Sequence, residues 1–143
     1  MRVKCIVSYD GSQFHGFQIQ NKQRTVQGEI QKALKKINEE DVIIHASGRT
    51  DAKVHAVHQV FHFDTKKNLP AEQWKRAINH FMPNDIYILD AQYVDESFHS
   101  RYTAIKKEYR YYLSMNEYDP FQTNYIYQYG RSLDIELMQD AAN

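Results

Sequence analysis

Apolar and polar residues alternate from Arg2 to Tyr9, with Val3, Cys5, Val7 and Tyr9 in one phase. A period of two puts these four side chains on one face of a half-buried strand. Asp10-Gly11-Ser12 is a turn signal, and the polar, aromatic stretch from Gln13 to Arg24 reads as a loop. The period then changes. Thr25 is a good N-cap, and Val26, Ile30, Ala33, Leu34 and Ile37 recur on one face of a helix at 3.6-residue spacing. A short strand is predicted over Val42 to Ala46, a polar loop over Ser47 to Lys53, and a longer strand over Val54 to Asp64. Pro70 suits the first turn of a second helix, whose apolar stripe is Trp74, Ala77, Ile78 and Phe81. Met82-Pro83 ends it, because the residue before proline is pushed away from helical dihedrals. Strands are predicted over Ile86 to Val94 and Glu108 to Met115, and Asp134 caps a last helix. Tyr125, Tyr127 and Tyr129 alternate as on a sheet face, a spacing that also suits stacking on bases.

The first part of this order is strand, helix, strand, strand, helix, strand. That is the ferredoxin-like arrangement of the α+β class, an antiparallel sheet with helices packed on one face. It ends near residue 105, so residues 1–105 are predicted as one domain and residues 106–143 as the start of a second. Many RNA-binding proteins turn such an open sheet face to RNA. A fold does not fix a function, which has to come from a site.

Composition narrows the field. Eighteen basic and eighteen acidic residues give a formal net charge of zero, so affinity for an anionic partner needs a local basic patch. The single cysteine, Cys5, excludes an internal disulfide framework. No run approaches the ~20 apolar residues of a membrane helix, and the N-terminus has no signal-peptide core. A soluble, cytoplasmic setting without membrane attachment is expected. His55, His58 and His62 suggest a metal only superficially. On a strand, positions 58 and 62 share a face while 55 points away, and no cysteine completes a set, so no metal site is expected.

The segment carrying chemistry is Ser47 to Ala56, SGRTDAKVHA. A loop between two strands can present one carboxylate, Asp51, from a rigid frame. Arg49 is close enough in sequence to influence that charge. Read by spacing alone, this is also what a turn with a solvated Arg–Asp pair looks like.

The segment resembles the GRTDAGVHA signature of TruA-type tRNA pseudouridine synthases. Further blocks resemble the same family in the same order: YDGSQFHGFQIQ near the start, TVQGEIQKAL on the first helix, NHFMPNDIYILDAQYV, and FHSRYTAIKKEYRYYL. Three positions depart from the family pattern. Lys53 stands where glycine is usual, His58 where glycine precedes Gln-Val, and Phe17 where tryptophan is common.

The resemblance implies isomerisation of uridine to pseudouridine in the tRNA anticodon stem-loop, at tRNA positions 38 to 40, with no cofactor and no metal. Asp51 matches the catalytic aspartate. It is a nucleophile, a stabiliser of charge at C1′ or a base for a sugar proton, and sequence leaves these routes open. Arg49 matches an arginine that contacts RNA as the base flips out, and Tyr109 a tyrosine that stacks on the target base. Lys53, Arg101, Lys106, Lys107 and Arg110 are candidate RNA contacts, Lys53 being equally readable as a solvated lysine. Family members form homodimers and are longer than this chain, so the 143 residues are expected to be inactive alone. The competing reading is a non-catalytic ferredoxin-like RNA-binding module, but the aromatic signature of such modules is absent from YRYYL.

Overall fold

In the computed structural model, which describes all residues from Met1 to Asn143, strand β1 (Arg2–Tyr9) lies at the centre of a four-stranded antiparallel sheet. Its neighbours are β3 (Ala56–Asp64) and β4 (Ile86–Val94), and β2 (Ile44–Ala46) adds to the outer side of β3, giving the order β2-β3-β1-β4. The alternation along β1 is realised residue for residue. Val3, Cys5 and Val7 are fully buried and Tyr9 nearly so, while their neighbours are half-buried on the other face. Cys5 pairs across with Phe61, and Val3 with Phe63, so the inward rows of two strands form one apolar surface. Burial pushes the Cys5 thiol pKa up, so the thiol is unreactive.

Helices α1 (Val26–Asn38) and α2 (Ala71–Phe81) bring Ile30, Leu34, Trp74 and Ile78 into the same core. Thr25 caps α1, its side chain accepting from the Gly28 amide. Helix α2 is tied to β4 by Asn79, which donates to the Ile88 carbonyl at 3.0 Å and accepts from its amide at 2.8 Å. The Trp74 indole donates to the Tyr93 hydroxyl at 2.9 Å, and that hydroxyl donates to the Leu69 carbonyl at 2.6 Å. The buried polar edges of both aromatics are therefore satisfied. The architecture is α+β and ferredoxin-like. No helix is long and apolar enough to cross a membrane.

The chain divides into two compact units, Met1–Lys106 and Lys107–Asn143. In the second, β5 (Leu113–Ser114) pairs in parallel with β6 (Tyr127–Gln128), and α3 (Ile135–Ala142) is capped by Asp134, which accepts from the Leu137 amide.

Three elements are shorter than their sequence patterns. β2 starts at Ile44 rather than Val42, and β3 at Ala56 rather than Val54. Val42 is buried, but only Ile44 to Ala46 join the ladder. The strand predicted over Glu108 to Met115 contracts to Leu113–Ser114, and Tyr109 and Tyr111 are 68% and 95% exposed. A period of two shows that a segment suits a strand, but a strand exists only where a neighbour completes its hydrogen bonds. For the same reason the tyrosine alternation at 125, 127 and 129 puts only Tyr127 into a strand, and all three rings are at least 40% exposed.

On the sheet face away from the helices, His62 is 1% exposed. The Ser100 amide donates to its Nδ1 at 3.2 Å, and the Ser100 hydroxyl lies 2.8 Å from the same atom. An amide can only donate, so Nδ1 keeps its lone pair and the ring is neutral. Burial, reinforced by Arg2, His99 and His45, lowers its pKa from 6.5 to about 4. The unfolded chain binds this proton from pH 6.5 downward and the folded one does not. Folding stability is therefore expected to fall as pH drops from 6.5 towards 4, by at most on the order of 3 kcal/mol. Asp64, held low by its hydrogen bond with Arg2, adds a further loss only below its ordinary value of 3.8. Urea unfolding between pH 4 and pH 7 checks this: His62→Gln should remove most of the slope, and an unchanged slope would refute it.

Candidate active site

The loop between β2 and β3 is fixed at its entry, its middle and its exit. At the entry, the Ser47 amide donates to the Val60 carbonyl at 2.8 Å, and the Gln59 side chain donates to the Gly48 carbonyl at 2.7 Å. In the middle, the Tyr9 hydroxyl meets the Thr50 hydroxyl at 2.8 Å, and the Phe17 amide donates to the Thr50 carbonyl at 3.0 Å. The Lys53 amide donates to the Phe14 carbonyl at 3.2 Å, and the Val54 amide closes a turn onto the Asp51 carbonyl at 3.2 Å. At the exit, the Gly11 amide donates to Nδ1 of His55 at 3.1 Å, with Asp10 Oδ1 also 3.2 Å from that nitrogen.

The segment that grips this loop is Asp10 to Arg24, predicted as a turn and a loop. It opens with a short 3-10 turn over Gly11–Gln13 and then runs without regular structure. Arg24 holds its far end through a paired contact with Asp85 at 2.7 and 2.9 Å, and its guanidinium lies over the Phe14 ring at 4.1 Å. Two glycines let the backbones touch. A Cβ on Gly11 would sit 2.1 Å from the Val54 carbonyl oxygen, and one on Gly16, whose φ is +88°, would sit 2.9 Å from the Thr50 oxygen. These contacts explain why the YDG and HGF pieces lie where they do in the sequence.

Asp51 itself is exposed, between pinned neighbours. Arg49 and Lys53 are also exposed, and Arg49 makes no ion pair with Asp51, so the turn is not held by that pair. Lys53 has φ +67°, a left-handed backbone that costs a non-glycine residue about 1 kcal/mol. This accounts for glycine in the family pattern at that place. Burial raises the pKa of Tyr9, against the pull of its Thr50 hydrogen bond, so the hydroxyl stays protonated. Arg101 and Lys106 are exposed in the first unit, and Lys107, Tyr109 and Arg110 are exposed in the second, where Arg110 pairs with Glu108 at 2.5 Å. Reading the sequence picked out the aspartate loop but not the roles of Tyr9, Gly11 and Gly16. Their signal in the sequence is the block YDGSQFHGFQIQ, which marks the segment but not what its side chains touch. His55 stands outside β3, and no three His, Cys, Asp or Glu side chains gather in a form that would hold a metal ion.

A ferredoxin-like sheet with an aspartate presented on a braced loop does not by itself fix a class, and comparison with known proteins supplies it. The family described as tRNA pseudouridine synthase matches residues 5–103, and the chain belongs to it. The chain is similar to tRNA pseudouridine synthase A of Oceanobacillus iheyensis, with 49% identity over 143 residues, covering 98% of this chain and 56% of the relative. The corresponding protein of Geobacillus sp. strain WCH70 is 50% identical over 142 residues, covering 98% and 57%. That of Bacillus subtilis is 43% identical over 145 residues, covering 99% and 59%. The chain thus spans a little under three-fifths of the length of these curated relatives.

Substitutions around the braced loop, with Gly130 of the second unit as a reference for strain without contact, should separate steric contact from backbone strain. Gly11→Ala is expected to cost about 3 kcal/mol, because backbone atoms must move. Gly130→Ala, at φ +69° with nothing within 4 Å, should cost only about 1 kcal/mol. Lys53→Gly should be neutral or stabilising by up to about 1 kcal/mol. Chemical denaturation of the three variants measures the order, and equal costs at Gly11 and Gly130 would contradict the close approach.

Proposed function

We propose that this chain carries the aspartate-bearing part of an enzyme that isomerises uridine to pseudouridine in tRNA, with Asp51 as its catalytic residue. The observation that carries the reading is an exposed, unpaired carboxylate on a loop whose flanking residues, Thr50 and Lys53, are each held by a backbone hydrogen bond. A carboxylate in such a place is preorganised for a substrate and is not spent on a structural ion pair.

In the reaction, the N1–C1′ bond of uridine breaks, the uracil turns, C5 bonds to C1′, the C5 proton leaves and N1 takes up a proton. Nothing else is gained or lost, so no cofactor and no metal are required by the balance. Asp51 acts by covalent attack, by stabilising positive charge at C1′ or by abstracting a sugar proton. The target base leaves its stack to reach it. Arg49, beside the aspartate and without a carboxylate partner, takes the place of the flipped base. Tyr109 stacks on the uracil. Lys53, Arg101, Lys106, Lys107 and Arg110 contact phosphates, with Arg110 exchanging its Glu108 partner for RNA. The substrate is the anticodon stem-loop, with positions 38 to 40 as targets, and the working form is a homodimer in the cytoplasm. Residues 1–105 act as the domain that holds the aspartate and residues 106–143 as the start of the next. The relatives carry about two-fifths more of their length than this chain spans, and the 143 residues alone are proposed to be inactive.

Release of tritium from C5 of labelled uridine in tRNA tests the reading on the full-length protein. Asp51→Asn should abolish release while tRNA affinity changes less than about twofold. Turnover within tenfold of wild type in a folded Asp51→Asn protein would remove the aspartate from the chemistry. Tyr109→Phe should slow turnover more than it weakens binding, and Tyr109→Leu should also weaken binding, since a stacked base contributes roughly 1 to 3 kcal/mol. Small and equal effects of both would assign Tyr109 a packing role.

A further inference from the structure

The sheet face away from α1 and α2 bears a connected set of rings that the aspartate loop does not use. His45 and His62 are cross-strand partners on β2 and β3, stacked with centroids 5.1 Å apart. His99 meets the edge of His62 at 4.7 Å and lies 5.5 Å from His45. Tyr102 stacks on His99 at 4.3 Å, with 30° between the planes. The inner member, His62, is buried, whereas His45 is exposed and Tyr102 is 78% exposed.

The segment carrying His99 and Tyr102 is firmly tied although His99 is only half-buried and Tyr102 is open to water. Arg2 donates from Nη1 to the carbonyls of Glu96 and, at 2.8 Å, of Phe98. The Ser100 amide donates to His62 at 3.2 Å, and that of Arg101 to Nδ1 of His99 at 3.2 Å. The Thr103 amide and hydroxyl both donate to the His99 carbonyl, at 2.9 and 2.7 Å. A large ring held in place yet left in solvent gains little from the fold, and its entropy of ordering is already lost before any partner arrives.

The kind of partner follows from the chemistry. Tyrosine and arginine also anchor protein contacts, but they do so in well-packed pockets closed off from water, whereas Tyr102 is 78% exposed. Here the half-buried Phe98 packs edge-on with His62, and the outer rings are imidazole and phenol, flat with polar edges, which suits stacking on a base. Arg101, in the next position to Tyr102, is exposed, and Lys4, the cross-strand neighbour of His62, is half-buried on the same face. The ledge is also close to the aspartate loop. His45 precedes Asp51 by six residues, so their Cα atoms lie within about 20 Å, a span that a few nucleotides cover.

We infer that His45, His99 and Tyr102 form a second base-stacking surface, which takes an unpaired RNA base near the reacting one while Arg101 meets its phosphate. This rests on the RNA-modifying reading above. It is separate from the target-base role given to Tyr109.

The test is binding of labelled anticodon stem-loop RNA to the full-length protein at several salt concentrations. Tyr102→Phe keeps the stacking face and should bind as wild type. Tyr102→Ala should weaken binding about 5- to 100-fold without changing the salt dependence. Arg101→Ala should lower the magnitude of the salt slope by about one. Wild-type binding retained in folded Tyr102→Ala would overturn the ledge and leave Asp51 in its role. A Tyr102→Ala effect confined to self-association in sedimentation would also overturn it, in favour of a protein contact. A wild-type protein that neither binds nor modifies this RNA would overturn both readings.

Discussion

The arrangement depends on β1 being paired on both sides while one of its faces is wholly apolar. Because its side-chain period is two, a slip of one residue would expose Val3, Cys5 and Val7 and bury Arg2 and Lys4. The register is therefore strongly fixed, and it sets more than the core. Arg2, on the outward face, reaches the carbonyls that tie down residues 96–98. Tyr9, the last inward residue, reaches Thr50 in the aspartate loop. One strand thus carries the positional information for the core, for the strap on the open face and for the candidate catalytic loop.

Much of the first unit was legible in the sequence because its patterns are local and strong. The apolar stripes of both helices are the buried residues seen, apart from Phe81 at 40% exposure and a half-buried Ala77. The alternation of β1 is reproduced without exception. What was not legible depends on partners distant in sequence. Nothing around Glu108 to Tyr112 says whether another strand will be beside it, and the pattern alone overstates it. His62 sits where alternation places it, but its burial depends on Ser100, thirty-eight residues later.

The candidate site shows the same division. The aspartate loop is conspicuous because Gly, Arg, Thr and Asp together are unusual between two strands. The residues that aim it are ordinary types: a tyrosine that looks like any inward strand residue, and glycines that look like turn formers. Their purpose is visible only when backbone is found against backbone, at Gly11 with Val54 and at Gly16 with Thr50. Lys53 reverses this order: its departure from the family pattern is noticeable in sequence, and its positive φ explains the family's glycine while leaving the lysine itself without a structural reason.

The ladders on the two sides of β1 both shift register near its C-terminal end, between Val7 and Tyr9 against β3 and between Ile6 and Val7 against β4. Irregularities of this kind raise local twist and re-aim side chains. Placed between the regular stretch of the sheet and the end that meets the aspartate loop, they act as a joint. Over evolutionary time, substitutions that repack the far half of the core can change strand spacing there and be absorbed at the joint before they reach Tyr9. The lineage is then free to vary its interior while the distance from Tyr9 to Thr50 stays constant.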